Sequence, residues 1–225
     1  VADKDWGLET SLYRLGGDFI NVEAPLLRSF KKYAQPGAIE GSSNWEILTV
    51  AQHHGLPTRL LDWTVSPKVA VHFATAEKEH YDKDAAIWRL DIPKARKVLP
   101  TLLRDVLSKE YAYLFSVEML NKHIPDLQSF DSLRPADPFV LFFEPPSLDA
   151  RVVNQWALMT IMPGANYILS DFLTAHPDLY DRVIIPKELK WEVRDKLDQD
   201  NVTERMLFPG LDGLSQWLKR YYGPK

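Results

Sequence analysis

A chain of 225 residues with 45% apolar and 26% charged residues can bury one full hydrophobic core without staples, and it contains no cysteine. The missing thiols exclude a cysteine nucleophile, cysteine-ligated zinc and structural disulfides, and they suit a reducing, cytoplasmic setting. A net charge of −4 argues against a broad duplex-binding surface. No apolar run approaches the ~20 residues of a membrane span, and no charged-then-apolar leader opens the chain. In chain order, the spacing of Leu26, Leu27, Phe30 and Tyr33 predicts an amphipathic helix over 21–34, with Asn21 as cap and Pro25 kept to the first turn. Glu23 then reads as a first-turn carboxylate favoured by the helix dipole. Lys31 and Lys32 fall on a solvated face.

Ser43 followed by Glu46 is a capping-box signature, and Gly55 is a stop, which predicts a helix over 45–54. Ser66 and Pro67 open a second helix as cap and first residue, running over 67–78. Between the two lies Leu56-Pro57-Thr58-Arg59-Leu60-Leu61-Asp62-Trp63-Thr64. Arg59 and Asp62 are embedded there among leucines and a tryptophan, and an unpaired buried charge is costly. One reading is a structural ion pair pinning the turn, with Arg59 and Asp62 sharing hydrogen-bond partners. The other is a cleft lined by His53, His54, Thr58, Arg59, Asp62 and Trp63.

Farther on, Ala85–Ile92 alternates like a strand, 101–124 reads as one or two helices, and 125–138 is turn-rich and expected to cross the surface. Phe139–Phe143 is a buried strand. Asp149–Met162 leads into a strand over 157–162 with Gln155 at its entrance, and 166–176 is an excursion with a short helix. Val183–Ile185 forms a last strand, followed by helices over 187–198 and 209–222. The final helix carries Leu211, Leu214, Leu218 and Tyr221/Tyr222 at helical spacing.

The ungapped run Ala51-Gln52-His53-His54-Gly55-Leu56-Pro57-Thr58-Arg59-Leu60-Leu61-Asp62-Trp63-Thr64, with Ser66-Pro67 and Ala70-Val71-His72-Phe73-Ala74 after it, resembles the signature of the FRG domain family. Trp6, Leu8, Leu12, Tyr13 and Arg14 fit that family's Trp-x-Leu…Leu-Tyr-Arg pattern, which sets its namesake Phe/Tyr-Arg-Gly tripeptide just upstream of Val1. Glu23 matches an acidic position. Arg151, Val152 and Gln155 fit an Arg-Ile-x-x-Gln-x-Gly-x-Phe pattern, with Ala157 and Met159 in place of the glycine and phenylalanine. Phe208–Leu214 fits a C-terminal pattern, so the resemblance spans nearly the whole chain. It implies a bacterial or phage setting, toxin-like or defence-related, and a distant relationship to ADP-ribosyltransferases.

Other chemistries lack their signatures. Gly16-Gly17 precedes no phosphate-loop lysine, and no G-x-S-x-G elbow is present. His53 and His54 diverge by about 100° on a helix, so no metal site is expected. NAD as substrate fits better. Loss of nicotinamide passes through an oxocarbenium-like sugar and needs phosphate, ring and ribose contacts. Arg59 or Arg14 would fork phosphate oxygens, Trp63 or Tyr13 would stack a ring, and His53, His54 and Thr58 would bind ribose hydroxyls. Gln155 stands where the resemblance implies a catalytic glutamate; an amide orients a hydroxyl but is no base. The expectation is a single α+β domain over 1–225, with small antiparallel sheets flanked by helices and a cleft between 52–64 and 151–156. Its catalytic residues would be Gln155, Arg59 and His53, and Tyr13, Arg14, His54, Thr58, Asp62 and Trp63 would bind the nucleotide. The alternative is a non-catalytic module that uses the same cleft for a nucleotide, nucleic acid or protein partner.

Overall fold

A computed structural model describes residues 1–35, 37–39, 41–133, 138–147 and 149–223. The described elements are α1 (Phe19–Tyr33), α2 (Asn44–His53), β1 (Leu61–Thr64), α3 (Pro67–Thr75), β2 (Ala85–Leu90), α4 (Ile92–Lys97), α5 (Thr101–Lys109), β3 (Phe115–Ser116), α6 (Val117–His123), α7 (Leu127–Asp131) and β4 (Leu141–Glu144). They continue with α8 (Ala150–Asn154), β5 (Ala157–Ile161), α9 (Leu169–Ala175), β6 (Tyr180–Ile185), α10 (Lys190–Gln199), α11 (Glu204–Leu207) and α12 (Leu211–Tyr222). This is the α+β class, with small sheets flanked by helices.

The caps act as their residue types predict. Ser43 accepts from the Glu46 amide at 3.2 Å, and the Glu46 carboxylate accepts from the Ser43 amide at 2.6 Å, which satisfies two orphan donors of α2. Ser66 caps α3 ahead of Pro67. The first helix departs from expectation. It starts at Phe19 rather than Asn21, so Pro25 lies inside it and leaves the Asn21 carbonyl without its amide donor. The extra turn is tied by Asn21, whose amide group donates to Asp18 at 2.9 and 3.0 Å.

Four strands form a sheet in the order β1-β5-β4-β3. β1 with β5 and β5 with β4 are antiparallel, and the two-residue β3 lies parallel to β4. Period-two alternation on β4 divides the core. Leu141 and Phe143 face α2, α5 and α6 with Trp45, Leu103, Leu107 and Leu120. Val140 and Phe142 face α9 with Leu169, Phe172 and Leu173. The short helix expected in the 166–176 excursion is therefore part of the core. So is part of the turn-rich 125–138 stretch: α7 buries Phe130 completely, and residues 134–137 lie outside the described ones. Trp45 donates its indole N–H to the Ile124 carbonyl at 2.5 Å, which lets that large ring be buried without an orphan donor.

A second sheet pairs β2 with β6 over six residues and packs on α3 and α10 around Ala74, Ala85 and Ile185. Its polar counterpart is a buried network. The His72 Nδ1 accepts from Arg194 at 2.9 Å, and Arg194 bonds Glu204 at 2.8 Å. Arg220 forks onto both Glu204 and Asp198 at 2.6 to 2.9 Å. Burial, and then the Arg194 charge, push the His72 pKa down to about 4, so the ring is neutral and can accept. Arg220 and Gly213 hold the inner face of α12. A side chain at Gly213 would begin 1.9 Å from the Phe208 carbonyl oxygen, so only glycine lets α12 close on α11. That orientation leaves Leu211, Leu214, Leu218, Tyr221 and Tyr222 exposed.

Candidate functional site

The stretch between α2 and α3 is more than a turn: its second half is β1. Leu61 and Trp63 point to one side of the sheet, and Asp62 and Thr64 to the other, the alternation that the sequence reading took for irregular chain. Arg59, just before the strand, is 7% exposed. Its Nε donates to Glu23 at 2.7 Å, its Nη2 to the other Glu23 oxygen, and its Nη1 to Asp131 at 2.6 Å. Asp131 also accepts from the Gly164 amide at 2.7 Å. Burial works against the guanidinium charge, but the two carboxylates outweigh it and raise the Arg59 pKa. Glu23 sits in the second turn of α1, buried, and is a partner for Arg59 rather than a dipole-stabilised first-turn acid. Arg59 and Asp62 share no partner, which corrects the ion-pair expectation. The arginine is held in a structural triad.

Asp62 belongs to a different cluster. Thr58 is buried and accepts the Leu60 amide at 3.1 Å, while its hydroxyl donates to the Gln52 Oε1 at 2.6 Å. With that oxygen fixed, the Gln52 Nε2 is turned onto Asp62 and donates to it at 2.9 Å. Beside this pair, the His53 Nε2 lies 2.9 Å from an Asp149 oxygen. Asp149 also caps α8 through the Arg151 and Val152 amides at 2.8 and 3.2 Å. Burial works to raise the Asp149 pKa, but those amides and His53 outweigh it, and the carboxyl sits below its ordinary range. Arg151 donates to the His53 carbonyl at 3.4 Å and lies over the Phe208 ring at 5.0 Å, and its Nε has no partner.

Asp62 is an exposed residue, yet its carboxyl lies among Gln52 and His53 of α2, Arg151 of α8 and the paired strand β5. That crowding raises its carboxyl above the ordinary value, against the pull of Gln52, Arg151 and His53. A carboxylate both accessible and disfavoured in its charged form is a functional-site signature. Among the described residues no group of three or more histidines and carboxylates is placed to hold a metal ion. The His53 and His54 rings meet edge-on, 5.2 Å apart.

The two segments that the sequence singled out do meet: Thr64 donates to the Gln155 carbonyl at 2.7 Å, and Val65 to the Trp156 carbonyl at 3.2 Å. The Gln155 side chain, however, donates to the Leu207 carbonyl at 3.0 Å. Trp63 packs against Phe142 in the core, with its indole N–H on Thr160 at 2.9 Å, on the face of β1 opposite Asp62. Arg14 is exposed and donates to the Glu9 carbonyl at 2.5 Å, and Tyr13 meets Phe19 edge-on at 5.1 Å. Of the expected site residues, His53, Thr58 and Asp62 are brought together, through Gln52, whereas Arg59 and Trp63 are turned into the structure.

The site residues not named from the sequence are Gln52 and Asp149, together with Arg151 and Trp156, which lie within the expected 151–156 wall of the cleft. Trp156 is 63% exposed with φ at +50°, a conformation that costs a bulky side chain about 1–3 kcal/mol. Its flanks are clamped: Asn154 donates to the Met206 carbonyl at 2.7 Å, Gln155 to Leu207, and β1 to the two carbonyls already described. The available signal was an aspartate two residues before an arginine, a helix cap that has to meet whatever lies across the sheet.

No curated protein and no solved structure matches the chain. The likeness read at 151–159 and 208–214 lies outside the matched residues. Over residues 1–83, the stretch that holds Glu23, Gln52, His53, Arg59 and Asp62, the chain matches the FRG domain.

Proposed function

We propose that Asp62, His53, Asp149 and Arg151 form a site for an NAD-like nucleotide, at which the bond to nicotinamide is cleaved or ADP-ribose is transferred. The observation that carries this reading is the Asp62 carboxylate, accessible yet raised in proton affinity and aimed by Gln52. A carboxylate facing the ribose stabilises the oxocarbenium-like charge that develops as nicotinamide leaves. This moves the catalytic role from Gln155, whose amide donates to the Leu207 carbonyl, to Asp62. Arg151, whose charge acts on Asp62 and whose Nη1 reaches the His53 carbonyl, takes over the phosphate contact first assigned to Arg59. His53, oriented by Asp149, serves a ribose hydroxyl or a proton transfer. Trp156 offers the exposed ring face that Trp63 does not. A cytoplasmic setting, in which NAD is at hand, accords with a chain that has no cysteine.

The test is incubation of the 225-residue chain with NAD, following free nicotinamide and the mass of candidate protein and nucleic-acid acceptors. Turnover in the wild type that falls at least a hundredfold in Asp62→Asn supports the reading. A second reading is favoured by one observation: the position at the entrance to β5 carries an amide, not an acid, at Gln155. In that reading the same cluster binds the nucleotide without turnover. NAD or ADP-ribose would then raise the melting temperature while no nicotinamide appears. No product and no shift with either nucleotide would sink both.

A further inference from the structure

We infer that the surface around the end of α5, built from Tyr111, Tyr113, Arg96 and Arg104, binds single-stranded nucleic acid. It lies beside β3, at the edge of the first sheet opposite β1, and stands apart from the nucleotide site.

The way α5 ends carries the first half of the argument. The Ala112 amide donates to the Leu107 carbonyl at 2.9 Å and the Tyr111 amide to the Ser108 carbonyl at 3.3 Å. This pair of bonds closes a helix through one left-handed residue, here Tyr111 with φ at +52°. Two other helices of the chain close by the same pair. α2 does so through Gly55 and α10 through Asn201, residue types that enter this conformation at least cost. The backbone alone would favour the same choice after α5. A tyrosine there is strained, and its ring is 96% exposed, so packing within the fold offsets little of that strain. The ring is in place for something outside the fold.

Charge supplies the second half. Tyr113, two residues on, is 75% exposed. Between the two tyrosines the Ala112 carbonyl accepts from Arg96 of α4 at 3.4 Å, and a second Arg96 nitrogen donates to the Ser108 hydroxyl at 2.9 Å. One turn before Ser108 on the same face of α5, Arg104 donates to the Thr101 hydroxyl at 2.9 Å. Among the described residues, Arg96, Lys97, Arg104 and Lys109 make no ion pair. Residues 94–109 carry a net charge of +4 in a chain whose net charge is −4, with Asp105 as their one acid. Uncompensated cations suit phosphates, and bare rings beside them suit flat partners with an open face. A single strand supplies both, because its bases are free to leave the stack. A duplex keeps its base faces covered, and an acidic peptide would meet the cations and leave the rings bare. Four cations make a small contact, with log K falling against log salt at a slope no steeper than about −3.

The test is fluorescence anisotropy of a labelled oligothymidylate about 15 nucleotides long, titrated with the whole chain at low salt. The expected result is saturable binding that weakens with salt, with a duplex of the same length bound at least tenfold more weakly. Tyr111→Gly should weaken binding at least fivefold while the melting temperature holds or rises, because glycine takes the left-handed turn without strain. Tyr111→Phe should bind as the wild type does, since the ring face and not the hydroxyl makes the contact. Arg104→Glu should cost at least fivefold at low salt and less at high salt. No saturable binding, or a duplex bound as tightly as the single strand, would overturn the inference. Binding indifferent to both Tyr111→Gly and Arg104→Glu would overturn it equally. So would displacement of the strand by polyglutamate at equal charge, which would mark the surface as one for acidic peptides.

Discussion

Cutting Glu23 back to alanine should be among the most damaging single changes in the N-terminal part of the chain. The carboxylate is 5% exposed and meets two of the three Arg59 nitrogens, while Arg59 is itself 7% exposed. Its removal leaves a guanidinium that cannot deprotonate, far from water, with Asp131 alone on Nη1. Losing one member of a buried pair costs about 3–5 kcal/mol, chiefly through the charge left behind. The remaining Asp131 contact puts the expectation at the lower end, about 3 kcal/mol. For a chain of this size each kcal/mol moves the midpoint by about 2–4 °C, so the melting temperature should fall by roughly 6–12 °C. Unfolding in urea, followed by circular dichroism, would measure this for Glu23→Ala, Arg59→Met and the double variant Glu23→Ala/Arg59→Met. The double variant should cost less than the two singles together, because no charge is then stranded. If Glu23→Ala lies within about 1 kcal/mol of the wild type, or if the singles simply add, Arg59 does not depend on Glu23 as described.

Asp62→Asn should leave stability at pH 7 unchanged or higher, since the fold disfavours the charged carboxylate, and should abolish nucleotide turnover; a large drop in melting temperature would recast Asp62 as structural. His72, at about 4 against an unfolded value of 6.5, binds fewer protons folded than unfolded. Its contribution is complete above pH 6.5 and is lost as the pH falls from 6.5 towards 4, by roughly 3 kcal/mol. In His72→Gln the stability difference between pH 7 and pH 4.5 should shrink by roughly 2 kcal/mol, the part of that loss that falls in this window, and an unaltered pH profile would contradict it. Trp156→Gly should relieve left-handed strain and hold or gain up to about 1 kcal/mol, while nucleotide binding weakens at least tenfold; equal binding would remove Trp156 from the site.

Local chemistry was legible where a short stretch decides the outcome. Ser43 with Glu46 and Ser66 with Pro67 announced the two helices, and the unbroken run Phe139–Phe143 announced a strand buried on both faces. The α+β class followed from those elements, whereas the approach of the 155 region to the 52–64 stretch followed from the two polar-in-apolar segments that carry the family resemblance. The partner of Arg59 was not legible, because Glu23 and Asp131 lie on either side of it in the chain, 36 and 72 positions away. Pro25 misled by suggesting a late helix start. β1 was missed because four residues with two charged or polar members look like turn until a partner strand is known. The exposed face of α12 was hidden for a related reason: helical spacing of leucines tells that a face is apolar, not which way it points. Gly213 and Arg220 settle that, and their contacts lie on other elements.

The strand β1 meets its neighbour only in β5, 91 positions downstream at the Thr64 contact. Trp45 relies on the Ile124 carbonyl, and His72 on Arg194. The boundary at residue 83 that the family match draws is thus not a boundary of the material. Cut there, the first 83 residues would keep an unzipped strand edge, a bared indole and a histidine with no donor. They could not be moved into another protein as a cassette, and an exchange between two such proteins would have to carry the second half along.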